Sequence, residues 1–227
     1  MAMPRVTEPE LMLDPEQALA YAQADFSASN EAFVERFDAL TGGSWPAGAL
    51  VLDLGCGPAD IPVRLVLRHP AMEIHAVDGS VAMLELARQR LQLEPAVSGR
   101  IVLVYGTLPL SMLPATGYEA VISNSLLHHL HAPDTLWQAV KRFARPGAPV
   151  LVMDLFRPDS EAQIEAIIER YAAGEPDVLR TDFRNSLRAA FTPGEVSAQL
   201  AHAGLALDVA RISDRHLLVS GRLPPDG

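Results

Sequence analysis

The stretch Val51-Leu52-Asp53-Leu54-Gly55-Cys56-Gly57-Pro58-Ala59-Asp60 constrains this chain most. It reads as a buried strand, a tight glycine turn and the start of a helix. An apolar run ending in Asp and followed by two glycines lets backbone approach a ligand, because no Cβ intrudes. The next acidic strand end is Asp78, in Ile74-His75-Ala76-Val77-Asp78-Gly79, 21 residues beyond Gly57. At that spacing a nucleotide-binding βαβ unit sets a carboxylate against ribose hydroxyls. A nucleoside-containing ligand is therefore expected.

The residues also say which kind. A dinucleotide site asks for a third glycine, G-x-G-x-x-G, where a helix N-terminus meets pyrophosphate. Asp60 occupies that position and would repel phosphate. Asp53, before the first glycine, also suits a cationic group better than an anionic one. No Gly-Lys-Ser/Thr follows the turn, so a P-loop is absent. The reading is a nucleoside that carries positive charge and no phosphate.

Helical and strand patterns alternate along the chain. Helices are expected at residues 15–24, capped by Asp14, and from the Ser29 cap to residue 40. Strands follow at 50–54, 73–78, 101–105, 118–123 and 149–154. Helices at 60–69, 81–93 and 134–144 separate them, the second capped by Ser80. That rhythm predicts a parallel sheet wound on both faces. After a Thr192-capped helix to residue 203, strands at 205–212 and 216–223 permit an antiparallel hairpin. Residues 224–227 are expected to fray.

These motifs resemble those of the class I S-adenosylmethionine-dependent methyltransferases, in particular the small-molecule branch of ubiquinone and menaquinone biosynthesis. The similarity spans residues 50–152 and continues more weakly beyond. It implies an α/β, Rossmann-like, doubly wound, seven-stranded sheet, mostly parallel with an antiparallel last strand. It implies a helical cap at residues 1–47, a cofactor-binding core at 48–155, a helical insertion or lid at 156–190 and a core-completing segment at 191–227. The cofactor would be S-adenosyl-L-methionine, with S-adenosyl-L-homocysteine as product. The Asp53-Gly55-Gly57 turn would cradle its methionine part, and Asp78 and Gly79 its ribose. Gly106 and Thr107 would lie near adenine, Asn124 would face the cofactor, and Met83 is a further candidate cofactor contact. Tyr21 is a further candidate, as a hydroxyl donor to the cofactor carboxylate. Two positions depart from the family pattern: Ala59 replaces the last glycine of the turn, and Thr107 replaces an acidic residue.

Methyl transfer from a sulfonium needs alignment more than a catalytic side chain. His128 and His129 are candidate bases for an acceptor hydroxyl, although a structural role is the first reading of this run. No metal is expected, because His128-His129-x-His131 has no carboxylate pair at ligand spacing. Arg184, Asp154 and Arg157 are candidate acceptor contacts, and an arginine could clamp an acceptor carboxylate.

A net charge of −10 argues against nucleic acid and against an anionic membrane surface. The single cysteine, Cys56, excludes an intrachain disulfide framework and fits a reducing compartment. With no leader pattern in residues 1–14 and no long apolar run, a cytoplasmic protein without membrane insertion is expected. The partner expected is a small-molecule acceptor, and a homodimer is left open. Other chemistry on the same cofactor, or a non-catalytic binding module, stay as alternatives.

Overall fold

The computed structural model describes residues 3–97 and 99–225. The end of the tail expected to fray lies outside them. Seven strands form one sheet in the order β3-β2-β1-β4-β5-β7-β6. They are β1 (Ala49–Leu54), β2 (Met72–Asp78), β3 (Ile101–Tyr105), β4 (Ala120–Asn124), β5 (Pro149–Leu155), β6 (Asp208–Arg211) and β7 (His216–Arg222). β1 to β5 pair in parallel. β7 runs antiparallel to both β5 and β6.

The central strands are apolar on both faces because helices cover both. Alternation decides which face each residue serves. Leu52, Leu54, Val121, Val150 and Val152 pack on one side, against α5 (Asp134–Phe143) and α8 (Pro193–Ala203). Their neighbours Val51, Ile122, Leu151 and Met153 pack on the other. There they meet α2 (Ser27–Thr41), α3 (Asp60–Arg68) and α4 (Val81–Leu93). A third apolar cluster joins Leu155 to α6 (Glu161–Ala172) and α7 (Asp177–Ala189). α1 (Pro15–Gln23) contacts α4 and α7.

Caps set several boundaries. Asp14 accepts from the Glu16 and Gln17 amides, and Ser80 accepts from Met83. Thr192 and Glu195 form a reciprocal capping box at α8. α2 differs from expectation: it begins at Ser27, because Asp25 accepts both the Ser27 amide and hydroxyl. The expected strand at 118–123 starts two residues later, with Tyr118 forming an isolated bridge to Ala144. The strand expected from residue 205 is regular over Asp208–Arg211. The insertion after β5 is two helices, α6 and α7, broken at Gly174-Glu175-Pro176. No helix among the described residues is long and apolar enough to cross a membrane.

Trp137 on α5 is fully buried, and its indole N–H donates to Gln199 on α8 at 3.0 Å. Trp137→Ala should lower unfolding free energy by about 3–5 kcal/mol in denaturant titrations. A loss below about 1 kcal/mol would show that this face does not anchor the sheet.

Candidate functional site

A cavity of about 620 Å³ opens at the carboxyl ends of β1, β2 and β4. Ligands occupy this edge in open α/β sheets, where loops diverge beyond the strands. Asp53, Gly55, Gly57, Asp78, Gly79, Met83, Gly106, Thr107, Asn124 and Tyr21 all line it.

Backbone geometry shapes the turn after β1. Gly55 has φ +78°, and a Cβ there would meet the Leu126 Cβ at 2.9 Å. Only glycine fits both the conformation and the space. Ala59, which stands where the family motif has glycine, takes a left-handed conformation, with φ +61°. It is the N-cap of α3, so the turn keeps its path at a cost of about 1–2 kcal/mol.

Asp78 ties two loops together. One carboxylate oxygen accepts the Gly57 amide and the other the Ser80 amide, each at 2.8 Å. A carboxylate can accept about four bonds, which leaves capacity for ligand hydroxyls. Asp53 is 3% exposed and has no hydrogen-bond partner among the described residues. Burial, and the negative charge of Asp78, push its carboxyl up to about 8. Asn124 Oδ1 is likewise buried without a partner among the described residues. Burial and nearby acids push the Tyr21 phenol up to about 12, so it stays a proton donor. These unpaired acceptors beside a turn of backbone amides fit a cationic, hydroxyl-bearing ligand.

Residues that the sequence reading missed complete the wall. The extended segment at 3–14 crosses the mouth, and Met12 carbonyl accepts the Ser80 hydroxyl at 2.5 Å. Leu11 approaches Gly79 closely enough that a Cβ there would clash at 2.7 Å. Tyr171, Leu179, Asp182, Phe183 and Ser186 come from the α6–α7 insertion, and Arg215 and His216 from the start of β7.

His128 and His129 also line the cavity. His128 is buried, with Nδ1 at 2.5 Å from Asp154 Oδ1. Asp154 also accepts the Leu127 amide at 2.6 Å, so it fixes the loop after β4. Glu8 Oε1 lies 3.1 Å from His129 Nδ1, without the alignment of a hydrogen bond.

The three acceptor candidates stand elsewhere. Arg184 donates to both oxygens of Glu165, at 2.7 and 3.0 Å, on the outer face between α6 and α7. Arg188 pairs with Glu161 in the same way. Arg157 is 3% exposed and spends its donors on Met3 and Ala190 carbonyls and on Glu195. Asp154 is committed to His128 and backbone amides. None of the three lines the cavity.

Asp53 gives a test with a defined sign. An unfolded Asp ionises near 3.8, whereas this one does so at about 8. Folding therefore favours its protonated form, and ligand-free stability falls as pH rises from about 4 to about 8. Asp53→Asn should raise the ligand-free Tm above wild type at pH 8. The gap should close toward pH 4, while cofactor affinity drops. A wild-type Tm equal to or above the variant's at pH 8 would contradict this assignment.

Comparison with known proteins agrees with this architecture. A methyltransferase domain model matches residues 51–147. Trans-aconitate 2-methyltransferase of Methylobacterium nodulans is 31% identical over 183 residues, 78% of this chain and 65% of that one. An uncharacterized methyltransferase of Mycobacterium bovis is 26% identical over 193 residues, 83% of this chain and 94% of that one. A SAM-dependent methyltransferase structure from Aquifex aeolicus superposes with TM-score 0.66 at 17% identity, over 93% of this chain and 100% of that one. That last likeness is one of fold. With the β1 turn, the paired carboxylates and the strand order in place, the chain is a class I S-adenosylmethionine-dependent methyltransferase.

Proposed function

We propose that the protein methylates a small neutral or basic acceptor, with its cofactor held along the carboxyl edge of β1, β2 and β4. In this reading Asp78 and Gly79 hold the ribose, and the Gly55–Gly57 turn lies under the methionine part. Gly106, Thr107 and Met83 border the adenine. Tyr21 and Asn124 reach the amino-acid end, and Asp53 balances its positive charge. The observation that carries the reading is the unpaired, buried Asp53 beside Asp78 at a glycine turn.

Bound there, the cofactor supplies an electrophilic methyl on sulfur. The chain's part is to align the acceptor in line with that bond and exclude water. The segment at 3–14, α1 and the α6–α7 pair act as covers, with residues 48–155 and 191–227 as the core beneath. The acceptor side of the insertion is apolar, through Leu179 and Phe183, and carries Glu175 and Asp182. Its arginines face outward onto acids of α6. Arg215 stacks on Tyr171 at 3.4 Å and sits 3.6 Å from Asp214. Arg64 and Arg90 also line the cavity, but both are paired with Asp60, so such a wall disfavours a polyanion. The tricarboxylate named for the Methylobacterium nodulans relative is therefore not carried over as substrate.

His128 belongs to the scaffold in this account, through Asp154. His129 is the candidate on the cavity wall for interaction with acceptor chemistry. The proposed location is the cytoplasm, since the single thiol, Cys56, is buried and has no disulfide partner in the chain. A homodimer is kept as a proposal for sedimentation velocity.

A panel of acceptors followed by S-adenosylhomocysteine release tests the substrate class. Uncharged or amine-bearing aromatic acceptors should turn over, and trans-aconitate should not. Phe183→Ala should raise acceptor KM by roughly 10-fold or more, as expected for an apolar side chain worth about 1.5–3 kcal/mol, with cofactor affinity unchanged. Preferred turnover of trans-aconitate, or an unaltered KM in Phe183→Ala, would sink the reading.

A further inference from the structure

The extended segment at 3–14 is fastened to the sheet edge at several points. The Arg5 guanidinium donates to the His128 and Leu130 carbonyls at 2.8 and 3.0 Å, and stacks over Phe191 at 3.8 Å. Glu10 accepts the His131 amide at 2.7 Å. Between these fixings, Glu8 enters a space bordered by two imidazoles. Its Oε1 is 3.1 Å from His129 Nδ1 and 3.6 Å from His128 Nε2. One ligand atom from each of the three residues lies within 4.8 Å of the other two.

We propose that Glu8, His128 and His129 form a binding site for one divalent transition cation, zinc foremost, which clasps the N-terminal segment across the cofactor cavity. Four observations converge on it. First, ligand atoms around tetrahedral zinc, bonded at about 2.0–2.1 Å, stand about 3.3 Å from one another. The 3.1 and 3.6 Å separations of Glu8 Oε1 from the two imidazoles bracket that value. Second, Asp154 holds His128 Nδ1 at 2.5 Å. A neutral His128 that donates its Nδ1–H to Asp154 would present the Nε2 lone pair, the carboxylate–histidine arrangement that supports metal ligands. Third, His129 Nδ1 is buried and lacks a hydrogen bond among the described residues. Fourth, the Ser186 hydroxyl donates to Glu8 Oε1 at 3.1 Å and so orients the carboxylate.

The donor set selects the ion. Two imidazoles and one carboxylate suit zinc and its neighbours, whereas calcium and magnesium want oxygen throughout. Charge is favourable as well. Glu8 and Asp154 bring two negative charges, and Arg5 brings one positive charge nearby. Three protein ligands leave one position of a four-coordinate cation for water or an acceptor atom. Two of the three ligands line the cavity, so that position borders the methyl-transfer site. The residues come from positions 120 apart in the chain, which is why spacing alone gave no metal signal.

The test is zinc titration of EDTA-stripped full-length protein in competition with a chromophoric chelator. Cobalt is then substituted, to read coordination from its visible spectrum. One zinc per chain and an intense four-coordinate cobalt spectrum are expected. Glu8→Gln and His129→Asn should each weaken zinc by about 10-fold or more. Asp154→Asn should weaken it by about 10- to 100-fold, as for outer partners of metal ligands. His202→Asn, on the exposed end of α8, should bind zinc as wild type does. Zinc should raise the Tm of wild type and not of Glu8→Gln. If Asp154→Asn fails to fold, the Glu8→Gln titration decides, because Glu8 sits on an extended segment outside the core. No saturable zinc, or equal affinity in wild type, Glu8→Gln and His129→Asn, overturns the proposal. Cofactor binding measured in EDTA stands apart from these results, so the metal inference can fail while the methyltransferase site holds.

Discussion

Two carboxylates at neighbouring strand ends govern this molecule. Asp53 and Asp78 close β1 and β2, whose registers run in parallel to the sheet edge. Burial first, and the negative charge of Asp78 second, hold a proton on Asp53 up to about pH 8. Asp78 escapes part of that cost by accepting the Gly57 and Ser80 amides. The same bonds join the turn after β1 to the start of α4. The ligand-free fold thus keeps an electrostatic conflict that a cationic ligand would relieve, which is a familiar signature of a binding site. Glycines in the turn, the close contact at Leu126 and the strained Ala59 all serve to bring backbone amides to that point.

Around this edge the covers are built from different forces. The α6–α7 pair is zipped on its outside by three ion pairs and packed on its inside by Ile164, Ile168 and Leu187. Exposed pairs of this kind each contribute little, about 0–1 kcal/mol, so the apolar seam does most of the holding. The segment at 3–14 adds only Met3 to that seam, with Leu11 against Gly79. It relies on Arg5, Glu8 and Glu10 reaching carbonyls, imidazoles and an amide on the loop after β4. Covers fixed mainly by polar contacts open at lower free-energy cost than packed ones.

The sheet was legible because its signals are local. Apolar runs end in Asp53 and Asp78, glycines follow, and Asp14, Ser80 and Thr192 mark helix starts. What failed to show was long-range. Glu8 meets His128 only in the folded chain, and the segment carrying it has no periodic pattern to read. Arg184, expected as an acceptor contact, is different, because its partner is legible in the sequence. Arg180, Arg184 and Arg188 recur every four residues, as do Glu161, Glu165 and Glu169 on the preceding helix. Two complementary stripes on adjacent helices predict an antiparallel zipper, not a substrate clamp. Leu179, Phe183 and Leu187 form the neighbouring stripe, which turns inward. The α2 start was misplaced because Asp25, two residues before Ser27, supplies the acceptor that Ser29 was expected to supply. Arg215 and His216 follow a turn at the foot of β7, and no motif flags them.

Calorimetry of S-adenosylmethionine binding at pH 7, in buffers of different ionisation enthalpy, addresses the central claim directly. Binding should be micromolar, about −7 to −8 kcal/mol, and should release a proton as the ligand's charge draws Asp53 into its ionised form. Asp78→Ala should weaken it by about 1.5–3 kcal/mol. The account is contradicted if binding is proton-neutral and insensitive to Asp78, or if NADH binds tightly and S-adenosylmethionine does not.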